Sequence, residues 1–117
     1  MTNHIYYSNY LGDYKMNIKF IDKISNGTLR ILYRRVTDSN VKKIIEQNEV
    51  TTVGICDGNI ADIIAASDIA EKSSNVIVSE VSGVCPQHIV CIAIFGNTAA
   101  VKTALNSIKN DLPKLKY

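Results

Sequence analysis

From Val50 to Asn110 the chain reads strand, helix, strand, strand, helix, and after that only a basic tail carrying Pro113 remains. "VTTVGIC" is a strand that stops at Asp57-Gly58. Asn59 then caps a helix over Ile60 to Ser73, in which Ile60, Ile63, Ile64 and Ala70 recur at helical spacing. "NVIVSEV" and "HIVCIAIF" are two more strands, joined by a short polar loop from Ser82 to Gln87. Gly96-Asn97 ends the second of them, and a helix from Thr98 to about Asn110 carries the apolar stripe Val101, Leu105, Ile108. This order is that of a ferredoxin-like unit without its last strand. A strand for the open position has to come from residues ahead of Val50.

Those residues offer one obvious candidate. "NIKFIDKI" and "TLRILYRRV" flank Asn26-Gly27, the strongest short hairpin signal, and the alternation on either side predicts two paired strands. Asp38 or Ser39 caps a short helix, "NVKKIIEQN", with Val41, Ile44 and Ile45 on one face. The strand from Thr28 to Val36 is then the free partner for the open position. The fold expected is α+β: a circularly permuted ferredoxin-like domain, an antiparallel sheet with helices packed on it. Residues 1–16 hold Tyr6, Tyr7, Tyr10 and Tyr14 among polar neighbours with no clear period. They read as a flexible or partner-dependent arm, which leaves residues 17–117 as the domain.

Composition narrows the function classes. A chain of 117 residues with 46% hydrophobic residues can build one real core, and 21% charged residues is an ordinary share. A formal net charge of +2 gives no electrostatic footprint for nucleic acid, and Arg34-Arg35 and Lys42-Lys43 fall inside patterned segments as solvated faces. The first residues have neither a basic n-region nor an apolar h-region, and the longest apolar run, Ile89 to Phe95, is far short of a membrane span. The expectation is a soluble cytoplasmic protein without membrane or nucleic-acid partners.

No catalytic constellation emerges, and the chain is read as a non-enzyme. There is no nucleophile-elbow or phosphate-loop motif. The only histidines are His4 and His88. Asp57 reads as a strand terminus and Asp62 as a first-turn acid at the favourable end of a helix dipole. Of the three cysteines, Cys56 and Cys91 lie inside strands and read as buried small hydrophobes. Cys85 differs, because it stands in the polar loop between two strands. Gly83 gives that loop conformational freedom, and Pro86 fixes its own φ while pushing Cys85 toward an extended backbone. Two readings stay open on pattern alone: a turn cysteine without a role, or a thiol held to act outward. A metal or iron–sulfur site needs about four thiolates or equivalents, so Cys85 could build one only if symmetry brought several copies together.

The stretch "SDIAEKSSNVIVSEVSGVCPQHIVCIAIFGNTAAVKTAL" resembles a bacterial microcompartment (BMC) shell domain. In that family a helix of the form A-A-D-x-x-x-K-A-A-N-V leads to a strand, a short Gly-rich pore loop, a strand ending in Gly-Asp or Gly-Asn, and a helix opening x-x-V-x-x-A. Ser67-Asp68, Lys72, Asn75-Val76, the loop, Gly96-Asn97 and Val101 fall into that register, and the likeness covers about Thr51 to Ile108. The upstream part is similar to the circularly permuted subclass, and "GVCPQ" resembles the pore loop of members associated with glycyl-radical-enzyme microcompartments.

The resemblance implies a structural protein that forms cyclic homo-hexamers. These would tile, with other shell proteins and around encapsulated enzymes, into the shell of a cytoplasmic organelle. It implies a pore loop of Ser82, Gly83, Val84, Pro86 and Gln87, and an iron–sulfur cluster of the four-iron type held at the hexamer axis by Cys85 for electron transfer. It implies hexamer-edge contacts at Lys72 and Asn75, with Arg35 as a companion charge. The alternatives are a metal-free pore for metabolites and a ferredoxin-like module that binds a small regulatory molecule.

Overall fold

The structure is a computed structural model that describes residues 5–9, 14–47, 50–83 and 89–115. Its elements in chain order are β1 (Ile5–Asn9), β2 (Tyr14–Ile21), α1 (Asn26–Arg35), α2 (Ser39–Glu46), β3 (Thr52–Asn59), α3 (Ile60–Ser73), β4 (Ile77–Val81), β5 (Ile89–Gly96) and α4 (Thr98–Asp111), closed by a 3-10 turn at Leu112–Lys114. The five strands form one sheet in the order β1-β2-β3-β5-β4, and every neighbouring pair is antiparallel. The α+β class with helices on an antiparallel sheet is therefore as expected.

The position beside β3 is filled, but by a different segment from the one anticipated. It is β2, in register Ile18↔Cys56 and Phe20↔Gly54, and not Thr28 to Val36, which is helical. The hairpin expected around Asn26-Gly27 is absent. Ser25 caps a helix there instead, its side chain accepting from the Thr28 amide. The physical reason lies in a second period that the segment also carries. Leu29, Leu32, Tyr33 and Val36 recur at i, i+3, i+4 and i+7, one helical face, and all four pack in the same core cluster. Asn26 and Gly27 occupy the first turn, where the amides have no intrahelical partner in any case. Arg34 and Arg35 lie in the last turn, the favourable end of the helix dipole for cations. The boundary expected at residue 16 falls inside β2, and β1 extends the sheet beyond it.

Helices α2 and α3 start at the caps the sequence marks, and α4 is capped by Asn97, read from the sequence only as a strand end. Asp38 Oδ1 accepts from the amides of Asn40 (2.8 Å) and Val41 (3.2 Å) to open α2. Asn59 Oδ1 accepts from the Asp62 amide at 2.9 Å while its Nδ2 donates to Asp62 Oδ2 at 2.9 Å, a reciprocal clasp on the first turn of α3. Asn97 Oδ1 accepts from the Ala100 amide at 2.8 Å to open α4.

The sheet carries a core on each face. Under α3 and α4 lie Ile18, Cys56, Ile63, Ile92, Ile94, Val101, Leu105 and Ile108. Under α1 and α2 lie Leu32, Val36, Val41, Ile45, Val53, Ala93 and Phe95. Because strand residues alternate faces, β3 and β5 serve both layers and are the most enclosed strands. Gly54 marks the closest approach of α4 to β3: a Cβ there would stand 3.0 Å from Leu105 Cδ2. At one corner of the sheet Asp22 Oδ1 accepts from Thr52 Oγ1 (3.0 Å) and Thr98 Oγ1 (2.6 Å). That carboxylate joins the end of β2, the start of β3 and the start of α4, and both hydroxyls hold the Asp22 carboxyl below its usual range, Thr98 most strongly.

Candidate functional site

The segment that the sequence singles out connects β4 to β5. These strands pair from Ile77↔Phe95 to Val81↔Cys91, so residues 82–88 link two adjacent antiparallel strands at one end of the sheet. Ser82 and Gly83 are described and exposed, whereas Val84, Cys85, Pro86, Gln87 and His88 lie outside the described residues.

The start of this loop is tied to α1. The Ser82 amide donates to the Arg35 carbonyl at 2.8 Å, and Arg35 Nη1 donates to the Ser82 carbonyl at 3.1 Å. One residue back, Val36 forms an isolated antiparallel bridge with Val81. The end of α1 thus docks on the outer edge of β4, with buried Val36 beneath it. Arg35, expected beside Lys72 at a subunit edge, is engaged here. Nothing local in the sequence marks this pairing, because its partners are 47 residues apart.

Lys72 lies in the last turn of α3, paired with Asp68 at 2.8 Å, and its side chain remains 76% exposed. The carboxylate four residues earlier raises the Lys72 pKa, first through the hydrogen bond and then through charge. An exposed i,i+4 pair of this kind contributes little to stability, so the lysine stays available to a neighbour. Asn75, just beyond the helix, is exposed. On the same side, Ile60 and Ile64 of α3 are 55% and 63% exposed and border a groove along Val78, Glu80, Val90 and Ile92. The helical stripe read from the sequence is thus only partly core: Ile63, Ala66 and Ala70 face inward.

The other two cysteines do not serve the loop. Cys56 is fully buried under α3 and α4. Cys91 is partly buried and opposes Asp57 across the β3–β5 ladder. It lies two residues before Ala93 of the other core, so the two thiols point to opposite faces of the sheet. Burial, with Cys91 and Asp57 adding to it, pushes the Cys56 thiol up to about 12. Burial and then Asp57 push Cys91 up to about 11. Asp57 also accepts from Asn17 Nδ2 at 3.0 Å, which fixes the carboxylate in the row Asn17, Asp57, Cys91. Two protonated thiols on opposite faces cannot ligate one cluster together. Among the described residues no group of three or more His, Cys, Asp or Glu side chains could hold a metal ion. A single chain therefore does not fit an iron–sulfur cluster. Cys85 is the one remaining thiol, and it would need copies of itself from other subunits.

This arrangement is a five-stranded antiparallel sheet with a core on each face, and it defines a class. The BMC domain family model matches residues 53–116, more than half of the chain, and the chain belongs to that family. Its class is structural, that of microcompartment shell proteins, rather than enzymatic.

Among solved structures the chain is similar to the ligand-free GrpU microcompartment shell protein from Pectobacterium wasabiae, at 29% identity over 80% of this chain and 99% of that one, with a TM-score of 0.61. It is similar also to the ligand-free GrpU shell protein from Clostridiales bacterium 1_7_47FAA, at 26% identity over 80% of this chain and 88% of that one, with a TM-score of 0.59. The fused permuted hexameric shell protein MSM0275 from the RMM microcompartment shares the fold, at 20% identity over 82% of this chain and 44% of that one, with a TM-score of 0.59. No curated protein shows significant similarity. Among the described residues no helix is long and apolar enough to cross a membrane.

Proposed function

We propose that the protein is a tile of a bacterial microcompartment shell, of the circularly permuted subclass, working as a cyclic hexamer with the 82–88 loop at its axis. Cys85 thiolates from several subunits hold an iron–sulfur cluster there. Such a cluster supplies one-electron transfer, and the chain's own part is to present one ionisable thiol per subunit. Gly83 and Pro86 shape the loop, and Val84 and Gln87 line the opening beside Ser82.

The observation that carries this reading is the division of the cysteines. Two are withdrawn into the sheet with raised pKa values, and the third stands in the connection between β4 and β5. The sheet order supports the permuted subclass, because the strand beside β3 precedes the matched segment in sequence. The exposed Ile60 and Ile64 offer apolar surface for a neighbouring subunit to cover. Lys72 and Asn75 then serve at the edges between hexamers, and the assembly associates with other shell proteins and encloses enzymes.

The test is anaerobic purification of wild type and Cys85→Ser side by side, with iron and sulfide analysis, visible spectra and light scattering. Iron and sulfide in ring-sized wild type alone support the reading. Rings without iron in both proteins leave a metal-free pore. A monodisperse monomer in both overturns the tile itself.

A further inference from the structure

Helices α1 and α2 meet on one face of the sheet, and between them runs a cleft of about 400 Å³ lined by Asn26, Leu29, Arg30, Tyr33, Ile45 and Glu46. That volume falls in the range of small-ligand sites. The floor is apolar: Ile45 is buried, and half-buried Leu29 packs on the same core. The wall is Tyr33, whose ring is fixed at two places. Its hydroxyl donates to Glu46 Oε2, and Lys42 Nζ stands 4.9 Å from the ring centroid. The hydrogen bond to Glu46 raises the phenol pKa, which keeps the shared proton on Tyr33.

The rim carries one charge left over. The Glu46 carboxylate is engaged by Tyr33. Arg30 is exposed, and among the described residues no carboxylate lies within ion-pair distance of it. Its guanidinium turns back toward the opening of α1, as long side chains on a helix do, with Nη2 3.9 Å from where a Cβ on Gly27 would stand. A guanidinium offers a planar fork of donors that a carboxylate matches with two parallel hydrogen bonds. The position is separate from the β4–β5 connection. Arg30 and Arg35 are five residues apart on α1, which places them about 140° apart around the helix.

We infer that the cleft between α1 and α2 is a binding site for a small organic monocarboxylate with an apolar body, its carboxylate on Arg30 and its hydrocarbon over Leu29 and Ile45 beside Tyr33. The charge balance selects the monoanion. One guanidinium neutralises one carboxylate, whereas a phosphate dianion would keep a charge over and meet Glu46 in the same cleft. A cationic ligand would have to compete with Tyr33 for Glu46 and would meet both Arg30 and Lys42. A wholly apolar ligand would strip water from the guanidinium and return nothing to it. The inference concerns a single chain and stands whether or not the chain forms rings.

The test uses 3-phenylpropionate, whose ring suits the Tyr33 wall, and its neutral amide, 3-phenylpropionamide, on the full chain. Affinity is measured by calorimetric titration at low salt. The site is located by isoleucine methyl NMR, with the Ile45 signals assigned through Ile45→Val. The acid is expected to bind in the millimolar range or tighter and the amide about tenfold more weakly, with the largest shifts at Ile45. Arg30→Gln should bring the acid down to the level of the amide and leave the affinity for the amide as it was, while Arg30→Lys should keep part of the difference.

Three results would each overturn the inference: no saturable binding of the acid up to about 20 mM, equal affinities for acid and amide, or an acid affinity unchanged by Arg30→Gln. Shifts centred on Ile60 and Ile64, which border the groove under α3, would overturn it as well. The comparison of acid with amide needs no variant, so it decides the question even where Arg30→Gln fails to fold.

Discussion

If the two strand cysteines are as withdrawn as their surroundings indicate, their chemistry should be slow by an amount that can be worked out. The perturbation is a pulse of iodoacetamide on the native protein. An ordinary thiol with the reference pKa of 9.0 is about one-tenth thiolate at pH 8, whereas Cys91 at about 11 is about one-thousandth and Cys56 at about 12 about one ten-thousandth. A more basic thiolate is a better nucleophile, with a Brønsted slope of about 0.4–0.5, and this returns roughly a factor of ten over two pKa units. The net expectation at pH 8 is Cys91 alkylated about tenfold more slowly than an unstructured cysteine peptide. Cys56 should be slower by more than that, because its complete burial also requires an opening of the sheet before reagent can arrive. The assay is a time course by peptide mass spectrometry from about pH 7 to 9.5 beside the peptide. The peptide rate bends toward a plateau near its pKa, while the Cys91 rate keeps rising tenfold per pH unit. A Cys91 rate within a factor of about two of the peptide at pH 8, or a bend in the same range, would refute the argument that burial and Asp57 hold this thiol protonated. It would also return Cys91 to the set of possible cluster ligands.

Three further outcomes follow from the fold. Gly54→Ala should cost about 1–2 kcal/mol in urea unfolding, the overpacking against Leu105 outweighing the gain from removing a strand glycine, and shortening Leu105 to Val in the same chain should recover part of it. Asn97→Ala should lose about 1 kcal/mol by freeing the Ala100 amide, while Asn97→Ser should lose much less. The depressed pKa of Asp22 stabilises the fold above the ordinary carboxylate range and ceases to do so as pH falls through its folded value, so the stability advantage of wild type over Asp22→Asn should shrink below about pH 4. A difference that is flat in pH would assign the Asp22 contacts no ionic part.

What could be read in the chain, and what could not, follows from the range of each signal. β3, α3, β4, β5 and α4 were legible because each carries a local mark: Asn59 as a cap, Gly96-Asn97 as a strand end, and apolar periods that agree with the fold. Segment 26–35 was not, because "TLRILYRRV" satisfies a strand alternation and a helical face at once, and Asn26-Gly27 weighted the choice toward a turn. Burial of Leu32 and Val36 against Val53 and Phe95 decides it, and that contact is tertiary. The Asp22 corner joins residues 30 and 76 positions apart, and the Arg35 link to Ser82 spans 47, so neither leaves a trace in any short window. Cys85 was legible as a candidate by elimination. The residue that fixes the start of its loop was legible only once the end of α1 could be seen against β4.

The place of β2 has a consequence for how the chain is made. β2 is translated ahead of β3, with which it pairs in the sheet, and β3 begins at Thr52, after both α1 and α2 have been translated. β3 in turn needs β5 on its other side, which is later still. The β1–β2 pair therefore leaves the ribosome with one edge of β2 open and waits for β3 to fill it, a long-range closure of the kind that slows folding and exposes strand edges meanwhile. The sheet thus closes from β3 outward on both sides, with β2 made before it and β5 after it.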